Sequence, residues 1–237
     1  MSGADPLALL TARRTLTFWA MAFVLANIAA SVIVLTTYGT IDDDVLTPIW
    51  VVGISGLSMW ATYLYVVSAI SNKYGSGNVF TDYRISFAWR DLWGVPIGIA
   101  SQFLLVTAVT FPLTKLFPDQ FSVEEVEKRA RELSDAATGG WVLVLFLVVV
   151  VGAPVVEEIV YRGLLQQGLD RSMNPSVALV ITAAIFAAIH LQPIEFPGLF
   201  AFALVLGWTY RKTQRLGLPI ITHMAFNASG LFAVMVL

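Results

Sequence analysis

The stretch that decides the fold is Trp141-Val-Leu-Val-Leu-Phe-Leu-Val-Val-Val-Val-Gly-Ala-Pro154-Val-Val-Glu157-Glu158-Ile-Val-Tyr-Arg162-Gly-Leu-Leu-Gln-Gln-Gly168. A bilayer crossing needs about 20 mostly apolar residues, and this block exceeds that length. Its second half nevertheless carries two carboxylates and a guanidinium. An ionisable group near the bilayer centre costs about 2.5–3.5 kcal/mol on insertion scales, so each needs a partner or a wet cavity. On a helix, Glu158 and Arg162 stand four apart and share a face, whereas Glu157 is turned about 100° away. This predicts one paired carboxylate and one free carboxylate, Glu157, of the kind a general base requires. A helix end leaving the membrane among lipid headgroups is the competing reading of the same three charges. Pro154 removes a backbone donor and predicts a kink. The block is then one bent helix, or a span followed by a membrane-embedded helix.

Working outward, similar apolar blocks lie at 15–38, 47–70, 93–117, 175–192, 196–212 and 218–237. The chain of 237 residues is 57% hydrophobic and 13% charged, against about a quarter charged for a soluble domain. The alternating short strands of a membrane barrel are absent. The expected fold is therefore an all-α, polytopic transmembrane bundle of about seven membrane helices. It is read as a single integral membrane domain over 1–237, with its functional core at about 141–237. Arg13 and Arg14 precede the first block as in a signal peptide, but the apolar run is too long for a signal core and reads as a retained span. The absence of cysteine excludes disulfides, a thiol nucleophile and Cys-ligated metal. A net charge of −2 gives no basic surface for nucleic acid.

Lysine and arginine distribution predicts a cytoplasmic N-terminus in a multi-pass cell-membrane protein. That orientation puts Arg13, Arg14, Lys73, Arg84, Arg90, Arg162, Arg171, Arg211, Lys212 and Arg215 inside, and Lys115, Lys128, Arg129 and Arg131 outside. Of the connections, Asp42-Asp43-Asp44 forms an acidic turn. Segment 72–92 and its edge have aromatic residues suited to the headgroup level (Tyr74, Phe80, Tyr83, Phe87, Trp89, Trp93). Ser122-Val123-Glu124-Glu125 is a capping-box pattern that opens a charged helix between two spans.

Only two histidines occur, His190 and His223. His190 closes Phe186-Ala-Ala-Ile-His190, and His223 opens His223-Met-Ala-Phe-Asn227, with Asn227 on the same helical face. Each alone reads as readily as a hydrogen-bonded structural residue or as interhelical glue. Together with Glu157, Glu158 and Arg162 they put polar groups on three membrane segments of the C-terminal half. Asn27 and Gln102 are the main counterparts in the N-terminal half. Counted from the assumed inner end, the two histidines differ in depth by about 15 Å at 1.5 Å per residue. Tilt, or a fifth helix starting below the membrane surface, would bring them level.

The three motifs Glu-Glu-x-x-x-Arg, Phe-x-x-x-His and His-x-x-x-Asn, in this order, resemble those of the CPBP family of intramembrane peptidases. The family is named for CAAX processing and bacteriocin processing, and is also called Abi. The resemblance spans residues 157–227 and implies hydrolysis of a peptide bond in or beside the membrane, on a peptide or membrane-protein substrate. It implies Glu157 as the base that activates water, His190 as a residue holding that water, and His223 and Asn227 as oxyanion donors. Glu158 and Arg162 are implied as supports that orient Glu157. It implies no cofactor. A divalent metal such as zinc, bound by histidine and glutamate with an open position, is the alternative mechanism. A non-catalytic membrane scaffold or regulator of the same family is the alternative function. A proton-relaying transporter would show repeated halves, and none is visible.

Overall fold

The computed structural model describes residues 7, 9–39, 46–118, 120–121 and 131–236. The acidic turn at Asp42–Asp44 and the capping-box pattern at Ser122–Glu125 lie outside them. All regular structure among the described residues is helical. Seven principal helices follow the seven apolar blocks: α1 Ala12–Thr37, α2 Ile49–Tyr74, α3 Trp89–Leu116, α4 Trp141–Asp170, α5 Pro175–Ala188, α6 Phe196–Thr213 and α7 Gly217–Val236. Five of them (α1, α2, α3, α4 and α7) are long and apolar enough to cross a membrane. At 14 residues, α5 reaches only about 21 Å, short of the roughly 30 Å hydrocarbon core.

The distribution of polarity is the reverse of a soluble protein's. Exposed positions of α1 include Met21, Val24, Leu25, Ile28, Val32 and Leu35. The buried set includes Glu158, Arg162, Gln166, Gln167, Thr209 and His223. Polar groups that lipid cannot solvate are gathered inside, and the apolar surface faces outward. The chain is a multi-pass membrane protein.

Helix α4 is the axis of the bundle and packs on α1, α2, α5, α6 and α7. It runs unbroken through Pro154, but two segments, Leu147–Gly152 and Ile159–Gln166, are π-helical. The first explains how a helix accommodates a proline. The Ala153 N–H bonds the Val148 carbonyl, five residues back. The next donor in that pattern, at position 154, belongs to a proline and does not exist. The Val149 carbonyl is thereby stranded, and Asn227 Nδ2 of α7 donates to it at 2.8 Å. A lost backbone bond has become a tie between helices.

Helix α7 is fixed from its other side by α3. A Cβ on Gly94 would lie 2.7 Å from the Thr222 amide nitrogen. One on Gly98 would overlap the Thr222 carbonyl and lie 2.8 Å from the Ala225 Cβ. Gly94-x-x-x-Gly98 is thus a small-residue seam that lets two helix backbones touch, directly beside His223.

The connector between α2 and α3 is knotted around Asp82, which is fully buried. Its carboxylate accepts from the Ser71 hydroxyl and from the Ser76 amide and hydroxyl. Gln167 of α4 donates to the Asp82 carbonyl, and the Tyr83 hydroxyl to that of Val67. Phe80, Phe87, Trp89 and Trp93 point outward while Tyr83 is buried. The predicted interfacial ring set therefore divides: most of it faces the surroundings, and Tyr83 anchors the connector.

Candidate active site

Glu158 and Arg162 form the predicted pair, with Arg162 donating to Glu158 Oε1 at 2.8 Å; both side chains are fully buried. Burial of two charges is tolerable only where further hydrogen bonds satisfy them. Arg162 also donates to the Ala203 carbonyl at 3.2 Å and lies over the Phe186 ring, 4.7 Å from its centroid. Glu158 Oε1 takes a second bond from His223 Nδ1 at 2.9 Å. A carboxylate only accepts, so Nδ1 of His223 carries the proton.

That tautomer directs the other nitrogen of His223 at Glu157. Nε2 stands 3.9 Å from Glu157 Oε2, at ion-pair distance but outside hydrogen-bond range. His223 therefore bridges the two glutamates. Glu157 differs from Glu158 in access, since 23% of its side chain is exposed against none for its neighbour. One carboxylate is a closed structural group and the other opens on the surroundings.

His190 lies just past the end of α5, whose start is fixed by Asn174 accepting from the Ser176 amide and by Pro175 at its first position. Its Nδ1 donates to the Phe186 carbonyl at 2.8 Å, which leaves the Nε2 lone pair available. The next residue, Leu191, has a left-handed backbone (φ 55°), uncommon for a residue with a Cβ. Despite the difference in depth expected from the sequence, both histidines pack on Phe186. The His190 ring lies 5.0 Å and the His223 ring 5.8 Å from its ring centroid.

Asn227 is half-buried. One of its amide hydrogens is spent on Val149, while the second hydrogen and the carbonyl oxygen remain. Glu157, Glu158, Arg162 and His223 are thus in direct contact, His190 joins them through Phe186, and Asn227 lies one helical turn from His223. Among the described residues no group of three His, Asp or Glu side chains is placed to hold a metal ion. The sequence reading missed Gly94 and Gly98, although the Gly-x-x-x-Gly pattern in an apolar segment was a visible signal. It also missed Phe202, whose ring packs edge-on against His223 at 5.5 Å and stacks on Phe226.

Residues 139–229, which span α4 to most of α7 and hold all six polar residues, match the family model of type II CAAX prenyl endopeptidase Rce1-like proteins. This segment is similar to that family of proteases. Neither the curated proteins nor the solved structures contain a match to the chain. The similarity to the Rce1-like family thus falls on the α4–α7 part of a multi-pass membrane protein. The α1–α3 part lies outside the matched residues, and α3 supports the Rce1-like region from there through Gly94 and Gly98.

Proposed function

We propose that the protein is an intramembrane endopeptidase of the CAAX-protease type, in which Glu157 activates the attacking water. The observation that carries this reading is the unequal treatment of the two glutamates. Glu158 is buried and engaged at Oε1 by Arg162 and His223, whereas Glu157 is accessible and faced by the second ring nitrogen of His223. In the proposed cycle Glu157 takes a proton from water, and the oxygen adds to the substrate carbonyl. The C–N bond then breaks as the proton passes to the leaving amine. The His190 Nε2 lone pair accepts a hydrogen bond from the attacking water. His223, when protonated at Nε2, and the second amide hydrogen of Asn227 are donors for the developing oxyanion, usually the largest electrostatic contribution in acyl transfer. Arg162 and Glu158 fix the tautomer and position of His223. The substrate class is a peptide or membrane-protein segment at the bilayer, and the N-terminus is cytoplasmic.

The test is a cleavage assay on membrane-proximal peptides with purified protein. Glu157→Gln keeps size and loses basicity, so it is expected to lower the rate by about 10²–10⁴-fold while leaving the thermal transition intact. Retained cleavage would remove Glu157 from the mechanism. Activity is expected to survive a chelator. Loss on chelation with rescue by zinc would assign the water to a metal instead.

A further inference from the structure

A second polar feature lies at the far end of α4, away from the glutamates. A cavity of about 200 Å³ is lined by Arg84, Gln167, Asp170, Arg171, Tyr210 and Gln214. At about 30 Å³ per water, it has room for a phosphate-sized group. Its floor is built rather than incidental. Gln167 and Tyr210 are almost wholly buried, with the Tyr210 hydroxyl donating to Gln167 Oε1 at 3.3 Å and Gln167 held by the Asp82 carbonyl. Its rim joins two connections, since Arg84 donates to Gln214 Oε1 and the Leu216 amide to the Arg84 carbonyl.

Both residues of that rim have left-handed backbones, φ 56° at Arg84 and 54° at Gln214. Among the described residues three non-glycine positions have positive φ, and the third is Leu191, beside His190. Unfavourable backbone of this kind gathers at sites where a side chain must be aimed. Asp170 lies in the field of Arg84, Arg171 and Arg211, and the first two line the cavity with it.

We propose that this pocket is a phosphate-binding site at the membrane surface, occupied by the phosphodiester of an anionic phospholipid. Two forked guanidinium groups suit a tetrahedral oxyanion. Membrane-length α4 ends at Asp170, so the pocket opens at the level where lipid phosphates lie. A peptide terminus fits less well. Asp170 is thirteen residues beyond Glu157, about 20 Å along a helix, so a peptide tail shorter than about six residues beyond a bond cleaved at Glu157 does not reach it. The site does not depend on the proposed hydrolysis, and its test needs no cleavage assay.

The experiment is a thermal-shift titration of the full chain in neutral detergent with phosphatidylglycerol, phosphatidylcholine and inorganic phosphate. Phosphatidylglycerol is expected to raise the transition by several degrees and to saturate, with phosphatidylcholine at least tenfold weaker. Arg84→Gln and Arg171→Gln are expected to move half-saturation at least tenfold higher. Gln214→Glu keeps an acceptor for Arg84 while adding negative charge, so it separates loss of binding from loss of the rim. Native mass spectrometry of that variant is expected to show loss of retained anionic lipid. Equal saturation by inorganic phosphate, lost in the same variants, would support the phosphate site with a soluble occupant. Equal shifts from the two lipids, variants that titrate as the parent does, or displacement by a peptide with a free but not an amidated C-terminus would overturn the proposal.

Discussion

At the residue scale the two adjacent glutamates carry separate burdens. The helix-face argument separated Glu158 from Glu157 before any coordinates, because a four-residue spacing to Arg162 is a local property of a helix. The His223 contact was not legible in the same way. It joins groups 65 positions apart, and only the seating of α7 decides which glutamate the imidazole meets. The resemblance implied His223 as an oxyanion donor, whereas its Nδ1 is committed to Glu158. Any donation to substrate must come from Nε2. Glu158→Gln leaves Arg162 buried with a neutral partner, and breaking such pairs costs about 3–5 kcal/mol in soluble proteins. The expected result is a large fall in the thermal transition and in folded yield, in contrast to Glu157→Gln. Equal loss of folding in both variants would contradict the division of labour.

At the scale of elements, the sequence located the seven principal helices, of which five are long and apolar enough to cross a membrane, because long apolar blocks bounded by polar connections leave little choice in a bilayer. What it could not supply was the internal geometry of α4. A kink was expected from Pro154; the segment leading into the proline is π-helical, and a further consequence appears on another helix as the Asn227 bond. The short α5 was also hidden, since the apolar block continues past Ala188 while the helix stops there. The Gly94–Gly98 seam gives a direct test of how α7 is held. Gly98→Ala inserts a methyl group into the backbone of α7 and is expected to lower both the thermal transition and cleavage, and Gly98→Val to lower cleavage more than tenfold. Gly53→Ala is the matched control. Its new Cβ would meet Val144 at an ordinary 3.7 Å, so removing a helical glycine there is expected to be neutral or slightly stabilising. Loss of function in both variants would show that the seam has no special role.

For the whole molecule, orientation is the property most open to direct measurement. The chain has no native cysteine, so single replacements report without background. Lys212→Cys is expected to label from the cytoplasmic side and Lys115→Cys from the opposite side, and the reverse pattern for both would invert the topology. The order of synthesis adds a constraint of its own. At about 5–20 residues per second, the 65 positions between Glu158 and His223 take about 3–13 s to translate. During that interval α4 is already made, but the imidazole that completes its charge cluster does not yet exist. Arg162 and Glu158 must therefore neutralise one another unaided while the later helices are awaited. A nascent chain arrested before α7 is expected to insert α4 stably when it carries both residues and to fail when Glu158 is replaced by Gln. The pair would then serve as a chaperone for its own helix first, and as scaffolding for His223 only afterwards.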